Sequence, residues 1–191
     1  MGDLGALLTS VLNLANLVLA ATVVLTAFSL LIYLLTHNFR SPVARAFGAL
    51  LGAVLIVYIG DVVLYEASTG SIERWLKFQW IGIALTPAAY LHFSATVLRT
   101  TNLQSRAREI AILIGYLLSL GFLGLVFFTP LVVYDGVYLP RQSHLAAGPL
   151  FWAFAFYFAV TVVWGAANIR HARQRCLTRA SRRRMTYLEL A

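Results

Sequence analysis

Charge is scarce in this chain. Only 12% of its 191 residues are Asp, Glu, Lys or Arg, against 60% hydrophobic, and the mean hydropathy is +0.79. A water-soluble domain carries ~25% charged residues, so this sequence has too little polar surface to coat a globule in water. Cysteine is scarcer still. Cys176 is the single one, which excludes an intrachain disulfide and every Cys-x-x-Cys metal or redox motif. Catalytic signatures are also missing: no GxSxG, HExxH or Walker sequence occurs. Only Asp61, Glu66 and Glu73 among the carboxylates approach the outer half of a membrane. No enzyme activity, metal or cofactor is expected of these residues.

What the chain has in abundance is long apolar runs. Crossing a ~30 Å hydrocarbon core takes ~20 mostly apolar residues in a helix, and five segments qualify, at roughly 8–35, 43–66, 75–98, 109–133 and 148–169. The expected fold is an all-α polytopic transmembrane bundle forming a single membrane domain over residues 1–191. The segments share no internal repeat. Residues 1–36 carry no basic n-region, and their apolar run far exceeds the ~7–15 residues of a signal h-region, so a retained first helix is expected.

Arginine sets the expected orientation. Twelve basic residues follow the first, third and fifth spans: Arg40 and Arg45; Arg99, Arg106 and Arg108; and seven arginines between Arg170 and Arg184. The opposite side holds only Arg74, Lys77 and Arg141. Because cytoplasmic loops collect Lys and Arg, the N-terminus is expected outside and the basic tail 170–191 inside. The net charge of +8 then serves orientation and attraction to anionic lipid headgroups, worth ~1 kcal/mol per basic residue near the surface. Nucleic acid is not an expected partner.

The third span, WIGIALTPAAYLHFSATVL over residues 80–98, carries Pro87 mid-run and His92 five residues later. Pro87 has no N–H, so the Ile83 carbonyl loses its helical donor, and neighbouring helices or a hydroxyl such as that of Thr86 must answer it. His92 lies ~10 Å from the cytoplasmic end, counted from Arg99. A haem between paired histidines is excluded, because His37 and His171 sit at helix ends and His144 in an outer loop. Two readings of His92 remain: a neutral histidine bonded to a neighbouring helix, or a single axial ligand to a chlorophyll-like pigment. Asp61 falls in the outer half of the second span, where a carboxylate faces protein or water. The third span runs the opposite way and brings Lys77, Gln79 and Trp80 to the same depth. On the helical wheel Asp61 shares a face with Tyr58 and Tyr65, and Gln79 shares one with Thr86 and Tyr90. These residues suggest one polar constellation open to the outside, either an interhelical clamp or a ligand site comprising Asp61, Tyr65, Lys77, Gln79, Trp80 and Thr86. Pro87 and His92 are candidates for a conformational role.

Between the fourth and fifth spans, Asp135-Gly136 is flanked by Val132, Tyr134, Val137 and Tyr138. That pattern predicts a small extracellular β-hairpin, after which Pro140 and Gly148-Pro149 steer the chain back into the membrane.

The stretch FQWIGIALTPAAYLHFSATVL, the Tyr-Asp-Gly hairpin followed by Gly-Pro and an aromatic-rich span, and the Arg-rich tail running into RRRMTYLEL together resemble the N-terminal seven-helix membrane region of bacterial sensor histidine kinases. The resemblance covers essentially the whole chain and is most specific at Leu91, His92 and Phe93. It implies a sensory input module that passes a ligand or membrane state to a cytoplasmic signalling domain or partner, with MTYLELA resembling the start of a sixth helix. It transfers no binding residues. No phosphorylatable-histidine helix and no glycine-rich ATP lid lie within these residues, so the chain is either a fragment or a stand-alone relative. Further readings are an accessory or pigment-binding subunit of a membrane complex, a small transporter, and a nonfunctional fragment. The expected partners are the lipid bilayer and a cytoplasmic signalling protein, with a homodimer as a further option.

Overall fold

The computed structural model describes residues 2–64, 71–101, 105–137 and 144–175. Five helices and a two-stranded sheet follow in the order α1 (Gly2–His37), α2 (Pro42–Leu64), α3 (Ile72–Arg99), α4 (Arg106–Phe128), β1 (Val133–Val137), β2 (His144–Ala147) and α5 (Phe151–Gln174). All five helices are long and apolar enough to cross a membrane. At 36 residues α1 is ~54 Å long and reaches beyond a ~30 Å core.

The third helix is the hub. It packs against α2, α4, α5 and both strands, whereas α1 packs chiefly on α2. The cause is side-chain size. In lipid the tails are as apolar as leucine, so helices associate through close packing, and small residues permit it. The buried face of α3 is built from Gly82, Ala84, Ala88, Ala89, Ser94 and Ala95 among larger neighbours. The other helices turn their bulk outward: Leu113 and Leu117 on α4 and Trp152, Phe156 and Val163 on α5 are each at least 60% exposed. Lipid wets such surfaces at no cost, so no force draws them inward.

The α2–α3 seam is the closest approach. A Cβ on Gly82 would overlap the Ala53 carbonyl oxygen and stand 2.7 Å from Val57 Cγ2, so only glycine fits there. A Cβ on Gly165 in α5 would likewise collide with the Tyr90 ring of α3. Two apolar clusters fill the bundle's ends. Trp80, Val126, Val132, Val133, Phe154 and Tyr157 pack at the hairpin end, and Ala46, Phe93, Val97, Leu98 and Ala172 at the arginine end.

The helix bounds shift from those read off the sequence, with α1 starting at Gly2 rather than 8 and α5 running over Phe151–Gln174 rather than 148–169, and two further departures have a local cause. The fourth helix stops at Phe128 rather than continuing to 133, because Pro130 forces Thr129 into extended backbone, at φ −142° and ψ 155°. The hairpin exists, with β1 and β2 antiparallel, but Asp135-Gly136 is not its turn. The register slips between Tyr134 and Gly136, which places the pair at a bulge inside β1. The connection, 138–143, lies outside the described residues, as do Tyr65 and the tail from 176. Gly148 and Leu150 donate their N–H groups to the Val132 and Leu131 carbonyls, each at 2.8 Å, tying the start of α5 to the hairpin.

Candidate functional site

Two polar side chains of α3 that meet neighbouring helices, Gln79 and His92, lie on either side of Pro87. At the hairpin end, Gln79 Nε2 donates to Asp61 Oδ1 at 2.6 Å and to the Val57 carbonyl at 3.2 Å, so both amide hydrogens go to α2. Gly60 makes this reach possible. A Cβ there would overlap Gln79 Cγ, and the glutamine stem lies in the groove that its absence leaves. Gln79 is buried while Asp61 stays exposed on the α2 surface, so the carboxylate sits at the rim of the seam.

The remaining sequence-designated residues scatter. Lys77 Nζ lies 2.7 Å from Glu73 Oε1, one turn back on its own helix. Trp80 is buried in the hairpin-end cluster, with its ring centroid 5.3 Å from Phe154 and 6.5 Å from Phe151. The Thr86 hydroxyl donates to the Gly82 carbonyl at 2.8 Å, one residue before the Ile83 carbonyl that Pro87 leaves without a donor. Tyr90 packs on Gly165. Pro87 is fully buried, and α3 continues through it unbroken.

At the arginine end, His92 Nδ1 is 3.2 Å from the Tyr116 hydroxyl of α4, with the two rings edge-on at 5.9 Å. Beside this pair a cleft of about 220 Å³ opens between α3 and α4, lined by His92, Thr96, Arg99, Ser105, Arg108 and Glu109. Reading the spans one at a time misses this cleft. Arg99 and Arg108 register there only as orientation charges, and nothing in linear order says that their helices converge.

Two buried clamps were equally invisible. Tyr157 donates its hydroxyl hydrogen to the Gly115 carbonyl at 2.8 Å, which leaves Ser119 to donate to the Tyr157 oxygen at 3.0 Å. Asn168 Nδ2 approaches Ser94 Oγ at 3.4 Å, while Ser94 itself donates to the Leu91 carbonyl. Polar side chains inside apolar spans were the available signal; their partners were not. Interhelical hydrogen bonds of this kind contribute ~0.6 kcal/mol each in a membrane, so they set the pairing of helices more than the stability. Among the described residues no group of three or more His, Cys, Asp or Glu is placed to hold a metal ion.

A family model described as the N-terminal 7TM region of histidine kinase matches residues 17–191. The chain belongs to this family. The family's role is that of a membrane sensory input module of histidine kinases, and the five long apolar helices suit a multi-pass membrane protein. Neither a curated protein nor a solved structure matches the chain. The five spans of the described residues all overlap the matched region.

Proposed function

We propose that this chain reads a ligand or membrane state at its hairpin end, outside the plasma membrane, and passes it through α3 to a cytoplasmic signalling domain or partner. The N-terminus is outside and the arginine end inside, following the Lys and Arg asymmetry. Asp61 and Gln79 are the core of the ligand site; Lys77, Trp80 and Thr86, candidates on the same helix as Gln79, turn to other partners, and the candidate Tyr65 lies outside the described residues. Pro87 and His92 are the conformational residues. The basic tail adds attraction to anionic headgroups, and a homodimer is a further option for the assembly.

One observation carries this reading: α3 touches α2, α4 and α5, bears the Gln79–Asp61 bond at one end and the His92–Tyr116 contact at the other, and has a fully buried proline between them. Gln79 and His92 are thirteen residues apart, ~20 Å along the axis. Pro87 deletes one backbone bond in that interval, so bending is cheapest there. A ligand that favours one bend of α3 over the other biases the inner half by its difference in affinity, and couplings of this kind run to ~1–3 kcal/mol.

The test is Pro87→Ala in a chain joined to its cytoplasmic kinase output. Alanine restores an N–H for the Ile83 carbonyl and stiffens the rod. The variant is expected to fold and insert as the parent does and to lose stimulus-dependent autophosphorylation. Output that survives intact would make the proline a packing feature and remove the hinge.

A further inference from the structure

The cleft between α3 and α4 is lined by both charged and apolar groups, contributed by both helices. Arg99 on α3 and Arg108 in the first turn of α4 flank it, with the hydroxyls of Thr96 and Ser105 beside them. Its apolar lining comes from Ala95 and Ile112. Glu109 Oε1 lies 4.0 Å from Arg99 Nη1, and the two side chains are 63% and 45% exposed, so this ion pair is loose and contributes little. Beyond Glu109 the row continues at four-residue spacing into Leu113 and Leu117, each 60% exposed, with Ile110, 56% exposed, alongside. A charged mouth thus leads onto a bare apolar helix face. At about 220 Å³ the cleft is smaller than the ~300–1,000 Å³ of sites that enclose a whole drug-sized ligand, and it suits one end of a longer molecule. Guanidinium groups match phosphate oxygens in geometry and charge, and both are supplied here from two helices. We infer that this cleft binds the phosphate group of a membrane phospholipid between Arg99 and Arg108, with its hydrocarbon chain along Leu113 and Leu117. This is a single stoichiometric site on the α3–α4 seam, distinct from diffuse attraction of the basic tail to a charged surface, and it does not depend on the sensory reading above.

The experiment uses the full 191-residue chain in uncharged detergent and three probes: dioctanoyl phosphatidic acid, dioctanoylglycerol, which lacks the phosphate, and inorganic phosphate, which lacks the chains. Binding is followed by native mass spectrometry and by titration. Phosphatidic acid is expected to bind one to one and at least tenfold more tightly than dioctanoylglycerol. The double variant Arg99→Gln, Arg108→Gln should weaken it tenfold or more, while Arg74→Gln, at the opposite end of α3, leaves it unchanged. Glu109→Gln removes the competing carboxylate and should tighten binding several-fold, a gain that misfolding cannot produce. Inorganic phosphate binding as tightly as the lipid, with the same arginine dependence, would overturn the lipid assignment, because the hydrocarbon chain would then contribute nothing. Phosphatidic acid binding that is indifferent to both the arginine pair and Glu109, or that dioctanoylglycerol equals, overturns the inference.

Discussion

Gly82→Ala adds one methyl group to the tightest seam of the bundle. The new carbon would overlap the Ala53 carbonyl oxygen and stand 2.7 Å from Val57 Cγ2 and 3.1 Å from Val57 N. Two of these three atoms belong to the α2 backbone and cannot rotate away, so the helices must part by on the order of 1 Å. A gap of that size forfeits a quarter to a half of each contact, ~0.1–0.2 kcal/mol per atom pair at best, along a long interface. Overpacking of this kind costs ~1–3 kcal/mol, and the unyielding backbone places Gly82→Ala in the upper part of that range. Alanine also gains ~1 kcal/mol over glycine in helix propensity, which blurs the reading. Gly121→Ala on α4 supplies the correction, since a Cβ there meets nothing within 4 Å and gains the same propensity. The difference between the two variants therefore isolates the seam. Reversible unfolding in mixed micelles, followed by far-ultraviolet circular dichroism, measures it. If Gly82→Ala and Gly121→Ala agree within ~0.5 kcal/mol, the α2–α3 contact does not hold the helices at this distance and the reasoning fails.

Substitution at Asp61 separates charge from hydrogen bonding. Asp61→Asn keeps an acceptor for Gln79 and should unfold close to the parent, whereas Asp61→Leu strands the Gln79 amide and should lose ~0.6–1.7 kcal/mol; equal stability and equal signalling in both would strip Asp61 of any role. Topology is tested with reporters. One inserted at Gly136 is expected to read outside and one fused after Ala191 inside, and an inside reading at 136 would refute the five-span orientation.

Much of the bundle was legible in linear order because the bilayer imposes a one-dimensional rule. A run of ~20 apolar residues must be a helix, since unsatisfied backbone groups in lipid cost several kcal/mol each. Antiparallel counting along the second and third spans brought Gln79 to the depth of Asp61, and the two are bonded at 2.6 Å. The same counting put Lys77 and Trp80 at that depth too. Depth does not determine azimuth, and Lys77 turns to Glu73 while Trp80 turns to Phe154. At the hairpin, Asp-Gly announced a turn, yet the pairing of Val133 with Ala147 and of Val137 with His144 carried the turn further along the chain.

Composition therefore determined the solvent, and linear order the number of long apolar helices and the presence of a hairpin, because each follows from local hydropathy and backbone satisfaction. Which helix stands at the centre was decided only in three dimensions. All five segments are apolar, and lipid rewards none of them for burial, so the choice fell to small residues that let backbones approach: Gly82 against Ala53, Gly165 against Tyr90, and the alanines of α3. Tertiary packing also created what no single span contains. The contact of His92 with Tyr116, the clamp of Tyr157 on Ser119 and Gly115, and the cleft between Arg99 and Arg108 each join residues on different helices. Their positions depend on the rotation of one helix about its axis relative to another, which hydropathy leaves free and steric fit sets.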